Sequence, residues 1–204
     1  MLKLNPVKYS KHQKRYIKNL GITKYEDWMS NNIINEQIKK TIKTQMLKNQ
    51  SQCCAYCNLK FYETSRPEIE HIAPRKLYPE FEYINKNLVM ACQYCNGSSK
   101  KGSKNTIKTK NQYYNTCHFN IVHPFYDNAE DYFEQSAFII KIKNGLSGDM
   151  KEKAEMTFKI FGIATPEHVE ARAKQMLYDT YMATHTLDVL HETLLNSTST
   201  YPLL

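Results

Sequence analysis

Glu70 and His71 stand side by side between two C-x-x-C pairs, Cys54/Cys57 and Cys92/Cys95. Asn87 precedes the second pair, and Asn96 follows it directly. These residue types divide into two kinds of chemistry. Four thiolates in two short-spaced pairs make a closed tetrahedral shell for a structural zinc ion, with no open position for catalysis. A carboxylate and an amide oxygen, Glu70 and Asn96, suit a hard divalent cation that keeps most of its other positions for water and phosphate. A neutral imidazole near pH 7, His71, can serve as base for a water molecule. Hydrolysis of a phosphodiester needs that base plus a cation on the scissile phosphate and leaving oxygen.

Each of these residues also has a plainer reading. A histidine at a strand end is commonly core filler, Asn96 suits the cap of a following turn, and a single C-x-x-C arises by chance or as a redox motif. Two pairs, each with an aromatic before its second cysteine (Tyr56, Tyr94), favour zinc. Framed by them and flanked by Glu70, His71 favours catalysis. The other two of the six cysteines, Cys53 and Cys117, fall outside the pairs. His118 beside Cys117 lacks further ligands, and His123-Pro124 reads as architecture at a loop corner.

The elements that must position these groups follow from patterning. Ile34, Ile38, Ile42 and Met46 recur every four residues, the apolar stripe of a helix packed on a core. From about 51 to 118 the chain changes to short apolar strings between turn residues. "RPEIEHIAP" and "NLVMAC" have strand length, and the 34 residues between the cysteine pairs hold two strands and a loop above a shared zinc knuckle. "NGSSKKGSKNTIKTK" carries five lysines and no acid and reads as a flexible, phosphate-facing loop, with one short turn beginning near Asn96. Behind it, "SAFIIKIKNG" is expected as one strand and "KEKAEMTFKIFG" as a helix closed by Gly162. A longer helix is expected from Pro166, with Thr165 as N-cap and Met176, Tyr181 and Leu187 on its apolar face. The expected organisation is a helical region 1–50, a zinc-stapled module 51–118, and a strand-plus-helices region 119–204 suited to partner docking.

Net charge is distributed unevenly. Residues 1–118 carry 21 Lys/Arg against 8 Asp/Glu, and residues 119–204 carry 7 against 12. A basic front suits a polyanion, because neutralising phosphates releases condensed counterions; the bland alternative is a solvated surface. Arg75, Lys76, Lys100, Lys101 and Lys104 are the expected phosphate contacts, holding the backbone without reading bases. The longest apolar runs, such as Ala137–Ile140, are far too short to cross a bilayer. The basic N-terminus lacks an apolar h-region, so a cytoplasmic location is expected.

Taken together, "YC…EHIAP…NLVMACQYCN…K" resembles the HNH nuclease motif over about residues 53–101. The resemblance implies an α+β fold: a zinc-stapled ββα-metal core with flanking N- and C-terminal helices. It also implies roles. His71 is the general base, Glu70 and Asn96 bind a catalytic Mg²⁺ or Mn²⁺, and Asn87 braces the loop between the strands. The chain departs from the family name in having Asn at the third position. A weaker likeness, through "FNIVHPFYDNAEDYF" and "KAEMTFKIFGI", is to the PtuB group of HNH proteins. These pair with an ABC-type ATPase, PtuA, in Septu antiphage systems and related retron operons. That implies a nuclease acting on nucleic acid, DNA before RNA, beside an ATPase partner. The rival readings are a zinc-stapled binding module whose nuclease site has lapsed, and a free-standing restriction or homing-type HNH nuclease.

Overall fold

The computed structural model describes residues 4–62, 65–185, 188, 189 and 192. Helix α1 (Lys11–Leu20) starts in a capping box: Ser10 Oγ accepts from the Gln13 backbone, and the Gln13 side chain accepts from the Ser10 backbone. Helix α2 (Ile33–Asn49) is capped by Asn32 and buries Ile38, Ile42 and Met46 completely, as their four-residue spacing predicts. That stripe lies against a two-stranded antiparallel sheet of β1 (Pro67–His71) and β2 (Leu88–Cys92). The register pairs Pro67 with Cys92 and His71 with Leu88, so the strand carrying Glu70-His71 ends beside the start of the strand that leads into the second cysteine pair. β2 is buried along its whole length and shares one core cluster with α2 and the four paired cysteines.

The third part of the expected ββα unit is one turn of helix, α3 (Gln93–Asn96), which ends rather than begins at Asn96. The lysine-rich segment is more ordered than its composition suggests. Residues Ile107–Thr109 form β3, paired with β4 (His118–Phe119). Lys108 meets Asp149 and Glu152, and Lys110 meets Glu80. Opposite charges brought in from distant segments hold this loop in place.

Beyond a short α4 (Ala129–Tyr132), the expected single strand is a hairpin. β5 (Phe133–Ser136) and β6 (Ile139–Ile142) turn through Ala137, at φ +50°, and Phe138. Helix α5 (Gly148–Phe161) closes at Gly162, whose left-handed φ of +62° suits glycine. Helix α6 (Pro166–Thr184) has Thr165 at its N-cap position, without a side-chain capping bond. Its buried side chains are His168 and Arg172, not an apolar stripe; Met176 is 38 % exposed, and Leu187 lies outside the described residues. One hydrophobic cluster runs from Val7 through the β1–β2 sheet to Phe161 and Ile163, so the flanking helices share the core of the cysteine module. No helix among the described residues is long and apolar enough to cross a membrane.

Candidate active site and metal centre

The four paired cysteines converge. Their sulfurs all lie within 4.8 Å of one another, and all four residues are buried. A tetrahedral zinc with Zn–S bonds of about 2.3 Å has edges of about 3.8 Å, and Cys57 Sγ to Cys92 Sγ is 3.8 Å. Backbone N–H groups already point at the sulfurs, from Cys92 to Cys54 Sγ and from Cys95 to Cys92 Sγ. Hydrogen bonding among the crowded sulfurs, Cys54's first, pushes the Cys57 and Cys95 thiols up. Zinc fits this buried donor set and its spacing. Helix α6 adds a second layer. His168 Nδ1–H donates to Gly162 O at 2.8 Å, while its Nε2 lies 3.8 Å from Cys95 Sγ. Arg172, one turn on, donates to the carbonyls of Phe138 and Ile163; burial weakens its hold on its proton, and the charges of Cys57 and Cys95 oppose that.

A separate cleft of about 260 Å³ is lined by Glu70, His71, Asn96, Arg75, Lys76 and Lys101 among others. His71 is 5 % exposed and pinned on two sides. Its ring meets Trp28 edge-on with centroids 4.5 Å apart, and Nε2 lies 3.1 Å from the Glu82 carbonyl oxygen. A carbonyl only accepts, so the proton is on Nε2 and the neutral ring carries its lone pair on Nδ1. Burial, with Arg75 and Lys101 adding to it, lowers the imidazole to about 3 and keeps it neutral at physiological pH.

Asn87, wholly buried, ties the β1–β2 loop to itself. Its Oδ1 accepts from Ala73 N at 2.7 Å, and its Nδ2 donates to the carbonyls of Ala73 and Phe81 at 3.2 and 2.9 Å. Asn96 donates from Nδ2 to Glu68 Oε2 at 2.9 Å, which leaves its carbonyl oxygen as the end suited to a cation.

Several expectations need correction. Lys101 does not face outward: it is fully buried, with Nζ 2.8 Å from Glu70 Oε1. Lys100 lies outside the cleft lining, with its ammonium over the Tyr94 ring and against Gly162. Lys104 is exposed and donates to Ser99 O, also outside the lining. Of the expected phosphate contacts, Arg75, Lys76 and Lys101 line the cleft, and Arg75 is already engaged, stacked 4.1 Å above Tyr25 and donating to Tyr25 O. Tyr56 is buried and stacked on Phe161, whereas Tyr94 is 38 % exposed with one edge on His168. His123 is architectural: Phe125 N donates to its Nδ1, and Nε2 meets Tyr114 Oη at 2.9 Å.

The residues missed in the sequence are Glu68, Trp28, Glu82, His168 and Arg172. Only Glu68 had a legible signal, since two positions before Glu70 on a strand places both carboxylates on one face.

Residues 54–102 match the family model for HNH endonucleases. They form an HNH domain. Two curated proteins named Septu protein PtuB are also similar to the chain. The one from Bacillus thuringiensis is 28 % identical over 107 residues, covering 52 % of this chain and 37 % of the relative. The one from Bacillus mycoides (strain KBAB4) is 26 % identical over 155 residues, covering 66 % of this chain and 50 % of the relative. The chain thus spans half or less of the length of these relatives. Both alignments are longer than the 54–102 match to the family model.

Proposed function

We propose that the chain is a divalent-metal-dependent HNH endonuclease that hydrolyses nucleic-acid phosphodiester bonds, with DNA as the favoured substrate. The observation that carries this reading is the convergence of Glu70, His71 and Asn96 on one cleft beside the four-cysteine knuckle. Nδ1 of His71 takes the proton of the attacking water while Nε2–H stays on the Glu82 carbonyl, which holds the ring in one tautomer. Glu70 and Asn96 would hold the divalent ion, which supplies charge neutralisation at the scissile phosphate and leaving oxygen. Asn87 keeps the loop after His71 in place, and Lys76 and Arg75 meet phosphate at the mouth of the cleft. Contacts of these basic side chains to backbone phosphate carry no base information, so cleavage directed by them alone is weakly sequence-specific.

The likeness to the Septu proteins PtuB supports a role as effector nuclease of an antiphage defence complex. In that role an ABC-type ATPase subunit is the partner, and the acidic C-terminal region is its docking surface.

Plasmid nicking with Mg²⁺ or Mn²⁺, repeated with EDTA and with His71→Ala, tests the catalytic reading. Metal-dependent nicking that the variant loses is expected. Nicking that survives either EDTA or the substitution overturns the reading, as does a parent chain that cuts neither DNA nor RNA alone or with the ATPase. Co-purification with an ABC-type ATPase encoded beside the gene tests the complex.

A further inference from the structure

Glu70 already has a cation beside it. Lys101 Nζ lies 2.8 Å from Glu70 Oε1 and donates to the carbonyls of His71 at 3.0 Å and Gly102 at 3.3 Å. The lysine side chain is 0 % exposed and the glutamate side chain 5 %. A lysine withdrawn this far from water is rare unless paired, and removing its partner would leave an uncompensated buried charge. The main chain around it is fixed. Lys101 N–H donates to Cys95 O and Gly102 N–H to Asn96 O, so the backbone is tied to the zinc knuckle and to the Asn96 turn. Gly102, at φ +45° with its Cα hydrogens facing Ser98, makes the tight bend; a Cβ there would come 3.0 Å from Ser98 Cα. The side chain borders the same cleft as Glu70, Asn96 and Ser103. With the backbone so fixed, a change of rotamer is the movement that would carry the ammonium from the carboxylate into the cleft.

We infer that Lys101 is a resident cation of the active site. It neutralises Glu70 in the metal-free protein, yields that carboxylate to a divalent ion, and then presents its ammonium to the substrate phosphate. The inference rests on the metal role proposed for Glu70. Two cations held on one buried carboxylate repel strongly in a water-poor site, so occupancy by one disfavours the other. The divalent ion must compete with an internal ligand, and its apparent affinity is lowered by the fraction of protein in the latched state. Metal arrival and phosphate capture become one event, because the ion's entry frees a positive charge for the anion.

Amine labelling of the 204-residue chain, read peptide by peptide by mass spectrometry, tests this directly. In EDTA Lys101 should be among the slowest-reacting lysines. With saturating Mg²⁺ and no nucleic acid its labelling should accelerate by about tenfold or more, and this gain should vanish in Asn96→Ala. Calorimetric titration with Mg²⁺ gives an independent readout: Lys101→Met should bind the ion about tenfold more tightly than the parent, or better. Zinc content and circular dichroism establish that the variant is folded; if it is not, the labelling of the parent chain decides alone. Equal protection of Lys101 with and without bound Mg²⁺ overturns the inference, as does Mg²⁺ binding by folded Lys101→Met that is unchanged or weaker. If Mg²⁺ binds the parent and is lost in Asn96→Ala while Lys101 stays protected, only the latch fails. If the parent binds no Mg²⁺ at all, the metal reading of Glu70 fails with it.

Discussion

His71 and Glu82 are joined by one hydrogen bond, from the imidazole Nε2–H to the backbone carbonyl at 3.1 Å. The bond fixes the tautomer, and burial fixes the charge. His71→Ala is expected to lower cleavage by about 10²–10⁴-fold, as for loss of a general base, while zinc content and folded signal persist. With its proton affinity lowered to about 3, chiefly by burial, the folded imidazole stays neutral where an unfolded one takes up a proton below about 6.5. Its contribution to stability is therefore complete above pH 6.5 and declines as pH falls from there towards 3. Denaturant titrations of parent and His71→Ala between pH 5 and 7.5 should show a shallower pH dependence in the variant.

The side chain of Glu82 makes a second, opposite prediction. Both carboxylate oxygens are buried, and among the described residues neither makes a regular hydrogen bond; burial, with Asp27 adding to it and the Trp28 backbone opposing it, raises the group to about 8. The unfolded chain loses this proton near pH 4.5 and the folded chain near 8, so stability falls as pH rises through that window. Glu82→Gln removes the charge and keeps the shape. It should stabilise the protein by about 2–4 kcal/mol at pH 8 and by little at pH 4.5. Thermal melts at the two pH values check this, and equal shifts at both would refute it.

Asn87 is a brace and not a reactive group. Asn87→Ala leaves the Ala73 N–H and the carbonyls of Ala73 and Phe81 without their side-chain partner in a buried loop. Each unsatisfied group costs about 1–3 kcal/mol, so a substantial fall in melting temperature should accompany loss of activity. His71→Ala should separate the two effects, losing activity with a much smaller change in stability.

Removal of the structural metal should be felt in the last helix. The tetrathiolate is expected to carry net negative charge when loaded, and His168 and Arg172 of α6 are the polar groups that α6 buries beside it. Chelation, or Cys92→Ser, should raise amide hydrogen exchange in α6 around residues 166–175 as well as in the knuckle. Exchange confined to residues 54–57 and 92–95 would show that α6 docks independently of the metal.

Much of the HNH domain was legible in the amino-acid sequence because it is local. C-x-x-C spacing places two thiolates at one turn, two strand-length strings frame the adjacent Glu70 and His71, and the stripe of α2 declares a buried side. The hairpin at Ala137-Phe138 was hidden because a turn through a positive φ at alanine has no compositional mark.

Lysine content likewise did not reveal direction. Lys100 and Lys101 are adjacent and chemically identical, yet one packs over Tyr94 and the other is sealed against Glu70. The amino-acid sequence by itself determined the ligand types, their spacing and the two-strand frame, since these depend on neighbours a few residues apart. Only the tertiary structure decided which charges are buried together: Lys101 with Glu70, His168 and Arg172 beside the cysteines, and Glu82 behind His71. A buried charge is set by the dielectric and partners around it, and those come from segments far apart in the chain.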